Sequence, residues 1–311
     1  MDLSVVIPNF NGKNLLEKNL PKVLDALENF REGKVEIIVV DDGSEDGSAS
    51  YISSLKKTVA NLVFVDNKTN LGFSSAVNNG VAKSKGDILI LLNTDVLPEK
   101  DFLKPLLEHF SDDKVFAVGC MDKSREGDKI VLRGRGLGQW KRGFLVHRRG
   151  EVDKTDTLWV SGGSGAFRKS IWDKLGGLNQ LYNPFYWEDI DLSYRALKSG
   201  YRVMFEPLSI VLHEHDKGAI KSKYSPKQVK RIAYRNQFIF AWENATDYSL
   251  QFSHFFWLPY HFIKSIYSRD FEFIAGFFSA LILLPKVIKS SLKAQKYFVK
   301  TDKEVIDALS V

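Results

Sequence analysis

The sequence is poor in cysteine and lacks the segments that would direct a protein out of the cytoplasm. Its 311 residues include one cysteine, Cys120, which excludes an intrachain disulfide and suits a reducing compartment. An apolar, strand-like run begins at Leu3, so we expect no signal peptide. The most apolar segment, residues 271–288, approaches the length that crosses a bilayer, but Glu272 and Pro285 interrupt its ends. These absences favour a cytoplasmic protein.

The sequence also lacks any recognised nucleic-acid-binding motif, although its formal net charge is +6. Such a charge suits an anionic membrane leaflet, and it equally suits a phosphate-bearing ligand. We therefore expect no nucleic-acid partner.

Short apolar runs recur along the first half of the chain at the spacing of an alternating strand and helix fold. The runs occupy residues 3–7, 35–40, 62–65, 88–92 and 115–118. Most of them are apolar on both faces, as strands covered by helices on both sides are. Between them, residues 15–30 and 49–59 carry apolar side chains at helical spacing. The first half is therefore predicted to be a parallel α/β sheet.

Polar clusters follow four of these runs, at the strand ends where such sheets bind ligands. They occupy residues 8–12, 41–44, 66–73 and 93–95. One such cluster is typical of a turn or a helix cap. Several acids on one sheet edge repel each other unless a cation or a hydrogen-bonding ligand lies among them, and a divalent metal holding a diphosphate meets that need. Asp95 is a suitable oxygen ligand for Mg²⁺ or Mn²⁺, and Asp41 can accept hydrogen bonds from a base or a ribose.

A second group of acids lies in residues 185–195, where a polar segment turns into a helix. Glu188, Asp189 and Asp191 stand there among aromatic residues. Helix capping, with an ion pair between Asp191 and Arg195, accounts for two of these acids. A third acid beside large rings favours a carboxylate that faces a cleft and acts as a base. From these residues alone, capping and catalysis both remain open.

The order and spacing of these motifs resemble the inverting glycosyltransferases of family 2, in the branch often described as rhamnosyltransferase-like. The resemblance covers residues 1–218. It is carried by residues 4–12, 39–44, 70–73, Asn78, Gly80, 91–95, 161–168, 176–178 and 187–192. It implies the GT-A fold, in which a Rossmann-like, mostly parallel sheet is flanked by helices.

The resemblance also implies roles for individual residues. Asp189 is expected to be the catalytic base, with Glu188 in support. Donor contacts are expected from Pro8, Phe10, Asn11, Asp41, Asn70, Gly72, Asn93 and Asp95. Acceptor contacts are expected from Gly163, Ser164 and Trp187. Family members of this kind use a divalent metal, Mn²⁺ or Mg²⁺, which Asp95 would bind together with the donor diphosphate.

Two departures from the family pattern affect these expectations. The family's D-x-D motif is Asn93-Thr94-Asp95 here, so a neutral amide replaces the first acid and metal binding needs a second ligand. His213, at the end of a late strand, is the candidate, and His215 competes because a shift of two residues keeps the same strand face. The turn at residues 177–180 also lacks the acids that the family usually has there.

The predicted function is an inverting transfer of a sugar from a nucleotide diphosphate donor to an acceptor hydroxyl, with Asp189 as general base. The branch favours a deoxythymidine or uridine diphosphate donor and a glycan or lipid-linked acceptor in cell-surface polysaccharide or glycolipid synthesis. One alternative is a nucleotidyltransferase that makes sugar nucleotides, but residues 8–12 are not the glycine-rich loop with Arg and Lys that it should have. Another is a catalytically degenerate, membrane-associated scaffold, which Asn93 leaves open.

Residues 121–154 combine many glycines with arginines and lysines, the composition of a mobile flap. An ordinary solvated insertion accounts for most of these charges. Trp140 and Phe144 are the exceptions, since large rings in such a segment suggest contacts with the rest of the molecule.

The chain changes character near residue 220, so we predict a catalytic domain over residues 1–220 and a helical extension over residues 221–311. The extension has aromatic residues over 251–266 and an apolar run over 271–288, followed by lysines at helical spacing. These features predict a helix lying in a membrane interface, at the inner face of the cell membrane. Helices packed on the catalytic core, or on a second subunit in a homo-oligomer, are the alternatives. If the membrane prediction holds, removing residues 250–311 should leave a soluble catalytic domain.

Overall fold

A computed structural model describes residues 1–126, 129–213 and 223–309. Nine of the described strands form one sheet in the order β3-β2-β1-β4-β10-β6-β11-β5, with β7 paired to β6, while β8 and β9 form a hairpin. The strands are β1 Leu3–Asn9, β2 Val35–Asp41, β3 Leu62–Asp66, β4 Ile88–Leu92, β5 Val96–Pro98, β6 Val115–Glu126, β7 Lys129–Arg133, β8 Gly136–Lys141, β9 Phe144–Arg149, β10 Ser164–Arg168 and β11 Arg202–His213.

Helices cover both faces of the sheet and continue beyond it. They are α1 Lys13–Leu27, α2 Ser48–Leu55, α3 Phe73–Val81, α4 Leu103–Glu108, α5 Lys169–Leu175, α6 Glu188–Lys198, α7 Pro226–Asn244, α8 Tyr248–Tyr267, α9 Phe271–Gln295 and α10 Asp302–Asp307. Short 3₁₀ turns lie at His109–Ser111 and Gln180–Tyr182.

The predicted α/β architecture is confirmed. The five apolar runs of the sequence are the cores of β1, β2, β3, β4 and β6, and the two helical segments are α1 and α2. Strands β1 to β4 pair in parallel, as predicted. Strand β10 runs antiparallel to both β4 and β6, so the sheet as a whole is mixed.

Alternate residues of the strands enter two separate cores, because successive side chains of a strand point to opposite faces. In β1, Val5 packs in a core with α1, α2 and α4, whereas Val6 packs in a second core with α3, α5 and α6. Both valines are fully buried. Burial on both faces explains why these strands read as continuous apolar runs in the sequence.

A third core lies between the C-terminal helices and the catalytic half of the chain. It joins Leu145 of β9, Tyr194 of α6, Phe240 of α7 and Ala280 of α9, all of them buried. The predicted boundary near residue 220 falls in residues 214–222, outside the described part of the chain. This core contains residues from both sides of that boundary, so its packing argues against a soluble domain after removal of residues 250–311.

A buried ion pair also joins α10 to α6. Lys198 Nζ lies 2.9 Å from Asp302 Oδ1, and both side chains are fully buried. The Asp302 carboxylate additionally accepts hydrogen bonds from the Tyr194 hydroxyl (2.7 Å) and the Thr246 backbone N–H (2.7 Å). A buried charge pair of this kind needs both partners, because one charge left alone in the interior is strongly destabilising.

The segment predicted as a flap is largely β-structure. Within residues 121–154 the described part contains the end of β6, strand β7 and the β8–β9 hairpin. Phe144 is only 3% exposed, and Trp140 Nε1 donates a hydrogen bond to the Tyr194 hydroxyl (3.1 Å). The two rings therefore attach the hairpin to α6 and the C-terminal helices.

Among the described residues, α9 is the one helix long and apolar enough to cross a membrane, judged by length and composition alone. About a fifth of its most apolar window is buried inside the molecule, 22%. The buried side of α9 includes Phe273, Ala280 and Val287, which pack in the third core. The helix thus has one packed side and one exposed side.

Candidate active site

A cavity of about 450 Å³ opens at the carboxyl ends of β1, β2 and β4. Six of the eight residues predicted to contact the donor line it, namely Pro8, Phe10, Asn70, Gly72, Asn93 and Asp95. The other two, Asn11 and Asp41, lie beside it. Asp41 is only 1% exposed, and its carboxylate accepts hydrogen bonds from Asn9 Nδ2 (2.8 Å) and the Ser44 backbone N–H (3.0 Å). The predicted clusters therefore meet at one site.

Asp42, which the sequence reasoning passed over, lines this cavity and organises its wall. Its carboxylate accepts hydrogen bonds from the backbone N–H groups of Leu71 (3.0 Å) and Gly72 (2.9 Å). These bonds connect the end of β2 to the loop after β3. Gly72 has φ +90°, and a Cβ there would lie 2.8 Å from Asn183 Cγ, so the loop requires glycine at this position. The paired acids at residues 41–42 were the available signal.

Asp95 and His213 lie together at one end of the cavity. Strand β11 pairs with β5 so that His213 lies opposite Val96, which brings His213 Nε2 to 3.3 Å from Asp95 Oδ2. His213 Nδ1 lies 2.9 Å from Asp122 Oδ2 on β6. Burial lowers the pKa of His213, but hydrogen bonds to Asp122 and Asp95 outweigh burial and raise this pKa to about 9. The imidazole is therefore fixed at both nitrogens.

This pair fits a divalent cation that takes the place of the proton on His213 Nε2, because a histidine binds metal as the neutral imidazole. Oxygen and nitrogen ligands of one such ion, each about 2.1 Å from it, lie about 3 Å apart, which matches the 3.3 Å between Asp95 and His213. In the described ranges no further His, Cys, Asp or Glu completes a group of three ligands. Diphosphate oxygens and water would supply the remaining positions, as is usual for Mg²⁺. The competing residue, His215, lies outside the described residues.

Asn93 connects the donor cavity to the predicted acceptor loop. Its backbone N–H donates to the Gly163 carbonyl (2.9 Å). A Cβ at Gly163 would lie 2.4 Å from Asn93 Nδ2, so only glycine permits this close approach. Ser164, the next residue, is buried at the start of β10 and pairs with Leu92. Asn93 thus packs closely on this loop while it also lines the donor cavity.

The three acids of residues 188–191 follow a turn with unusual backbone geometry. Tyr186 has φ +72° and Trp187 has φ +77°, values that non-glycine residues rarely adopt. Asn236 of α7 is fully buried, and its Nδ2 donates to the carbonyls of Phe185 (2.9 Å) and Tyr186 (2.8 Å). Such geometry persists where the surroundings impose it, and it clusters at functional sites. Asn236 had no signal in the local sequence.

Asp189 is the second residue of α6 and lies behind the wall of the donor cavity, next to Gly162. Its carboxylate accepts a hydrogen bond from the Ile190 backbone N–H (2.8 Å). The Phe73 ring lines the cavity. Gly162 lies between this ring and Asp189, because a Cβ at Gly162 would be 3.1 Å from Phe73 Cε1 and 3.9 Å from Asp189 Cβ. Burial raises the pKa of Asp189 to about 6, against the opposing effect of hydrogen bonds from backbone N–H groups. Its carboxylate is therefore a stronger base than an exposed aspartate, yet mostly ionised at pH 7.

Glu188 has a different environment. The side chain is 7% exposed, and Oε2 has no hydrogen-bond partner among the described residues. Burial, followed by the charge of Asp189, raises the pKa of Glu188 well above its ordinary value. A neutral Glu188 beside an ionised Asp189 avoids placing two adjacent negative charges in the same buried site.

Asp191 is structural. Its Oδ2 lies 2.8 Å from Arg195 Nη2, which confirms the predicted pair one helical turn apart. Its Oδ1 accepts a hydrogen bond from Asn244 Nδ2 (2.8 Å), and the side chain is fully buried. The ion-pair reading of the acid-rich segment thus holds for Asp191, while Glu188 and Asp189 lie in the first turn of α6 and their catalytic role stays a prediction.

Comparison with known proteins decides the family. The family model described as glycosyl transferase family 2 matches residues 4–176, more than half of the chain. The chain belongs to glycosyl transferase family 2. This glycosyltransferase is therefore an enzyme of sugar transfer, and the alternative of a nucleotidyltransferase is wrong.

Two curated relatives illustrate the range of the family. The O-antigen chain rhamnosyltransferase RfbN of Salmonella typhimurium is 25% identical over 233 residues, which cover 73% of this chain and 69% of that protein. The poly-beta-1,6-N-acetyl-D-glucosamine synthase of Staphylococcus aureus is 27% identical over 67% of this chain, but this chain spans only 48% of the synthase.

Among solved structures, that of GalNAc-T7 with UDP, GalNAc and Mn²⁺ matches with a TM-score of 0.63 at 19% identity. The match covers 80% of this glycosyltransferase and 49% of GalNAc-T7. At this identity the likeness shows the fold alone, and it confirms the predicted GT-A fold.

Proposed function

We propose that this glycosyltransferase moves a sugar from a nucleotide diphosphate donor to an acceptor hydroxyl with inversion at the anomeric carbon. The observation that carries the proposal is the position of Asp189, a partly buried carboxylate with a pKa of about 6, next to the cavity that holds Asp95 and His213. A general base works best when its pKa lies near the operating pH. The site therefore combines a base with a place for a charged leaving group.

The donor is proposed to occupy the cavity. Phe10 offers a flat apolar surface, and Lys223 lies over this ring, with its Nζ 4.2 Å from the ring centroid. Lys223 also lines the cavity, so a positive charge faces the region where a diphosphate would lie. Asp42 and Asn70, at the same edge, provide acceptors and donors for a base or ribose. We favour a deoxythymidine or uridine diphosphate donor.

Asp95 and His213 are proposed to hold a divalent cation, Mn²⁺ or Mg²⁺. When bound, such a cation neutralises the negative charge that develops on a departing diphosphate. The Mn²⁺ in the GalNAc-T7 structure belongs to a protein of the same fold and supports this proposal. Asp122 would keep the His213 ring in a fixed orientation, as carboxylates behind metal-bound histidines do.

The chemical step needs one base. The carboxylate of Asp189 takes the proton of the acceptor hydroxyl while the acceptor oxygen forms its bond to the anomeric carbon. The bond from that carbon to the diphosphate oxygen breaks at the same time, and the electron pair leaves with the nucleotide diphosphate. A single displacement from the opposite side inverts the configuration. Glu188, kept neutral by burial, leaves the negative charge on Asp189.

Acceptor contacts are proposed from Gly163, Ser164 and Trp187, since Gly163 adjoins Asn93 of the donor cavity and Trp187 directly precedes the acids of α6. The activities for which RfbN and the staphylococcal synthase are named support an acceptor in cell-surface polysaccharide or glycolipid synthesis. A glycan or a lipid-linked acceptor suits such a pathway. We accordingly propose that the enzyme acts in the cytoplasm, at the inner face of the cell membrane.

A ligand screen followed by a product assay tests the proposal. A nucleotide diphosphate that binds only the folded protein raises its apparent melting temperature, and we expect the largest rise for uridine or thymidine diphosphate with Mn²⁺. With the matching labelled sugar nucleotide, slow hydrolysis should release the nucleotide diphosphate. Transfer to an alcohol acceptor should give a glycoside of inverted configuration, visible by NMR, because a glycoside does not mutarotate as a free sugar does. Absence of nucleotide binding and of hydrolysis would favour the degenerate scaffold, and a product of retained configuration would remove Asp189 as the only base.

A further inference from the structure

The exposed side of the α8–α9 pair is unusually apolar. Phe252, Phe255, Phe256 and Ile263 of α8, with Phe278 and Ile282 of α9, are each between 55% and 80% exposed. We call these six residues the aromatic face. Single apolar residues are normal on a protein surface, but six large exposed apolar side chains on two adjoining helices, with the rings of Phe252 and Phe256 stacked 6.0 Å apart, mark a site of interaction.

The face is built by helix geometry and held firmly. On α8, the spacing of three, four and seven residues places the four exposed side chains on one side of the helix. The other side carries His254, which is 5% exposed, with Nδ1 2.8 Å from the Gly143 carbonyl and Nε2 accepting a hydrogen bond from Trp242 Nε1 (3.0 Å). The rings are therefore presented by helices that are packed on the core.

The charge around the face has one sign. Residues 248–300 contain seven lysines and arginines and only two acids, Asp270 and Glu272. Both acids form ion pairs with α7, Asp270 with Lys230 (2.7 Å) and Glu272 with Arg231 (2.8 Å). The negative charges of both acids are thus paired with cations of α7. Residues 248–300 therefore present excess positive charge together with exposed apolar rings.

We propose that the aromatic face and its lysines bind the surface of an anionic lipid bilayer, with α8 and α9 lying in the plane of the interface. Aromatic and aliphatic side chains reach the boundary of headgroups and acyl chains, and lysines attract anionic headgroups. This inference concerns binding to lipid and does not depend on the proposed sugar transfer.

Two observations favour a bilayer surface over the other occupants. A second copy of the chain, docked symmetrically by the same face, would bring two lysine-rich surfaces together, and like charges disfavour that contact. A membrane-spanning α9 would have to leave α7, although its Gly276 packs so closely there that a Cβ would lie 2.7 Å from Tyr234 Cβ. Binding in the plane keeps this packing intact.

Liposome flotation with the full-length chain tests the proposal. We expect the protein to float with phosphatidylcholine vesicles that contain about a third phosphatidylserine, to float weakly with pure phosphatidylcholine, and to be partly released by 0.5 M salt. Replacing Lys286, Lys289 and Lys293 by glutamine should weaken binding about a hundredfold, at about fivefold per lysine. The variant F255S/F256S/I282S should lose binding to both kinds of vesicle.

The matched control is the variant I130S/L208S, which removes two side chains that are 70% and 72% exposed elsewhere on the molecule and should bind vesicles normally. Melting temperature and nucleotide binding, measured on each variant, separate loss of lipid binding from loss of fold or of the donor site. The lysine variant leaves apolar packing untouched, so it remains informative if the aromatic variant unfolds. Equal binding to neutral and anionic vesicles, or no vesicle binding with a dimer that the aromatic variant abolishes, would overturn the proposal.

Discussion

The replacement of Asp189 by asparagine is the most informative perturbation of the site. Asparagine has nearly the same shape and can still accept the hydrogen bond from the Ile190 backbone N–H, so α6 should begin as before. What the variant lacks is a group that takes a proton. We expect sugar transfer to fall by about 10²- to 10⁴-fold, the usual contribution of a positioned general base, with donor affinity nearly unchanged.

The pH dependence of kcat/KM gives a second test of the Asp189 assignment. With a pKa of about 6, the Asp189 carboxylate is mostly ionised at pH 7.5 and about one tenth ionised at pH 5. The kcat/KM of the wild type should therefore fall about tenfold per pH unit well below pH 6. The residual activity of the variant should lack this acid limb.

The Asp189→Asn variant should gain folding stability although it loses activity. The folded-state pKa of Asp189 lies above its ordinary 3.8, so the folded state holds the proton more tightly, and stability is lost as pH rises from about 4 through about 6. An asparagine at position 189 does not ionise, so the variant does not lose stability in this pH range. At pH 7.5 the variant should be more stable than the wild type by about 1–3 kcal/mol, since one pKa unit corresponds to about 1.4 kcal/mol.

Three assays measure these effects. Steady-state transfer reports the activity, isothermal titration reports the affinity for the donor nucleotide, and urea unfolding at pH 5 and 7.5 reports the stability. The variant Asp191→Asn is the matched contrast, because Asp191 is fully buried and paired with Arg195. It should lose stability, which Asp189→Asn should not. An Asp189→Asn variant with more than half of wild-type turnover would refute the assignment of the base.

Three further predictions concern the groups that hold the site together. Asp95→Ala and His213→Ala should each weaken Mn²⁺-dependent binding of the nucleotide in calorimetry. Asp122→Asn should weaken this binding about 10- to 100-fold, because it releases the His213 ring. Normal affinity in His213→Ala, with a loss in His215→Ala, would transfer the ligand role to His215. Asn236→Ala should remove the N–H group that holds the carbonyls of Phe185 and Tyr186. This variant should lower kcat more than nucleotide affinity, and urea unfolding should show a loss of about 1–3 kcal/mol. An unchanged kcat would show that the turn before α6 does not need this support. Asp302→Ala should destabilise the fold by about 3–5 kcal/mol because Lys198 stays buried without its partner, and a loss below 1 kcal/mol would mean that Lys198 reaches solvent when the carboxylate is gone.

Local periodicity was enough to predict the α/β half of the chain. Strands β1, β2 and β4 are largely buried on both faces, so their sequences are apolar nearly throughout, and the pattern is visible without knowledge of any partner. The edge strand β3 is half-buried apart from Leu62. Parallel strands also end at a common edge, which is why the polar clusters after β1, β2 and β4 could be expected to meet. The proximity of Asp95 to His213 followed from the family resemblance and agrees with the pairing of β5 and β11.

The neighbouring acids Asp41 and Asp42 show where sequence reasoning failed. Both follow the same apolar run, yet Asp41 turns inward to Asn9 and Ser44, while Asp42 lines the cavity and holds Gly72. Their directions depend on where the strand pleat ends and on which loop lies above it. Neither fact is contained in the composition of the turn.

The sequence by itself determined strands β1 to β4, the start of β6, helices α1 and α2 and the set of polar residues at the sheet edge, because each depends on the burial pattern of its own element. The β8–β9 hairpin, predicted as part of a flap, was not among them. Only the tertiary structure decided that Asn236 supports the turn before α6, and that Asp302 neutralises Lys198. These partners are separated by 50 and 104 residues along the chain. Such contacts are fixed by the docking of the C-terminal helices onto α6, and no local pattern encodes which distant residue will complete a buried hydrogen bond or ion pair.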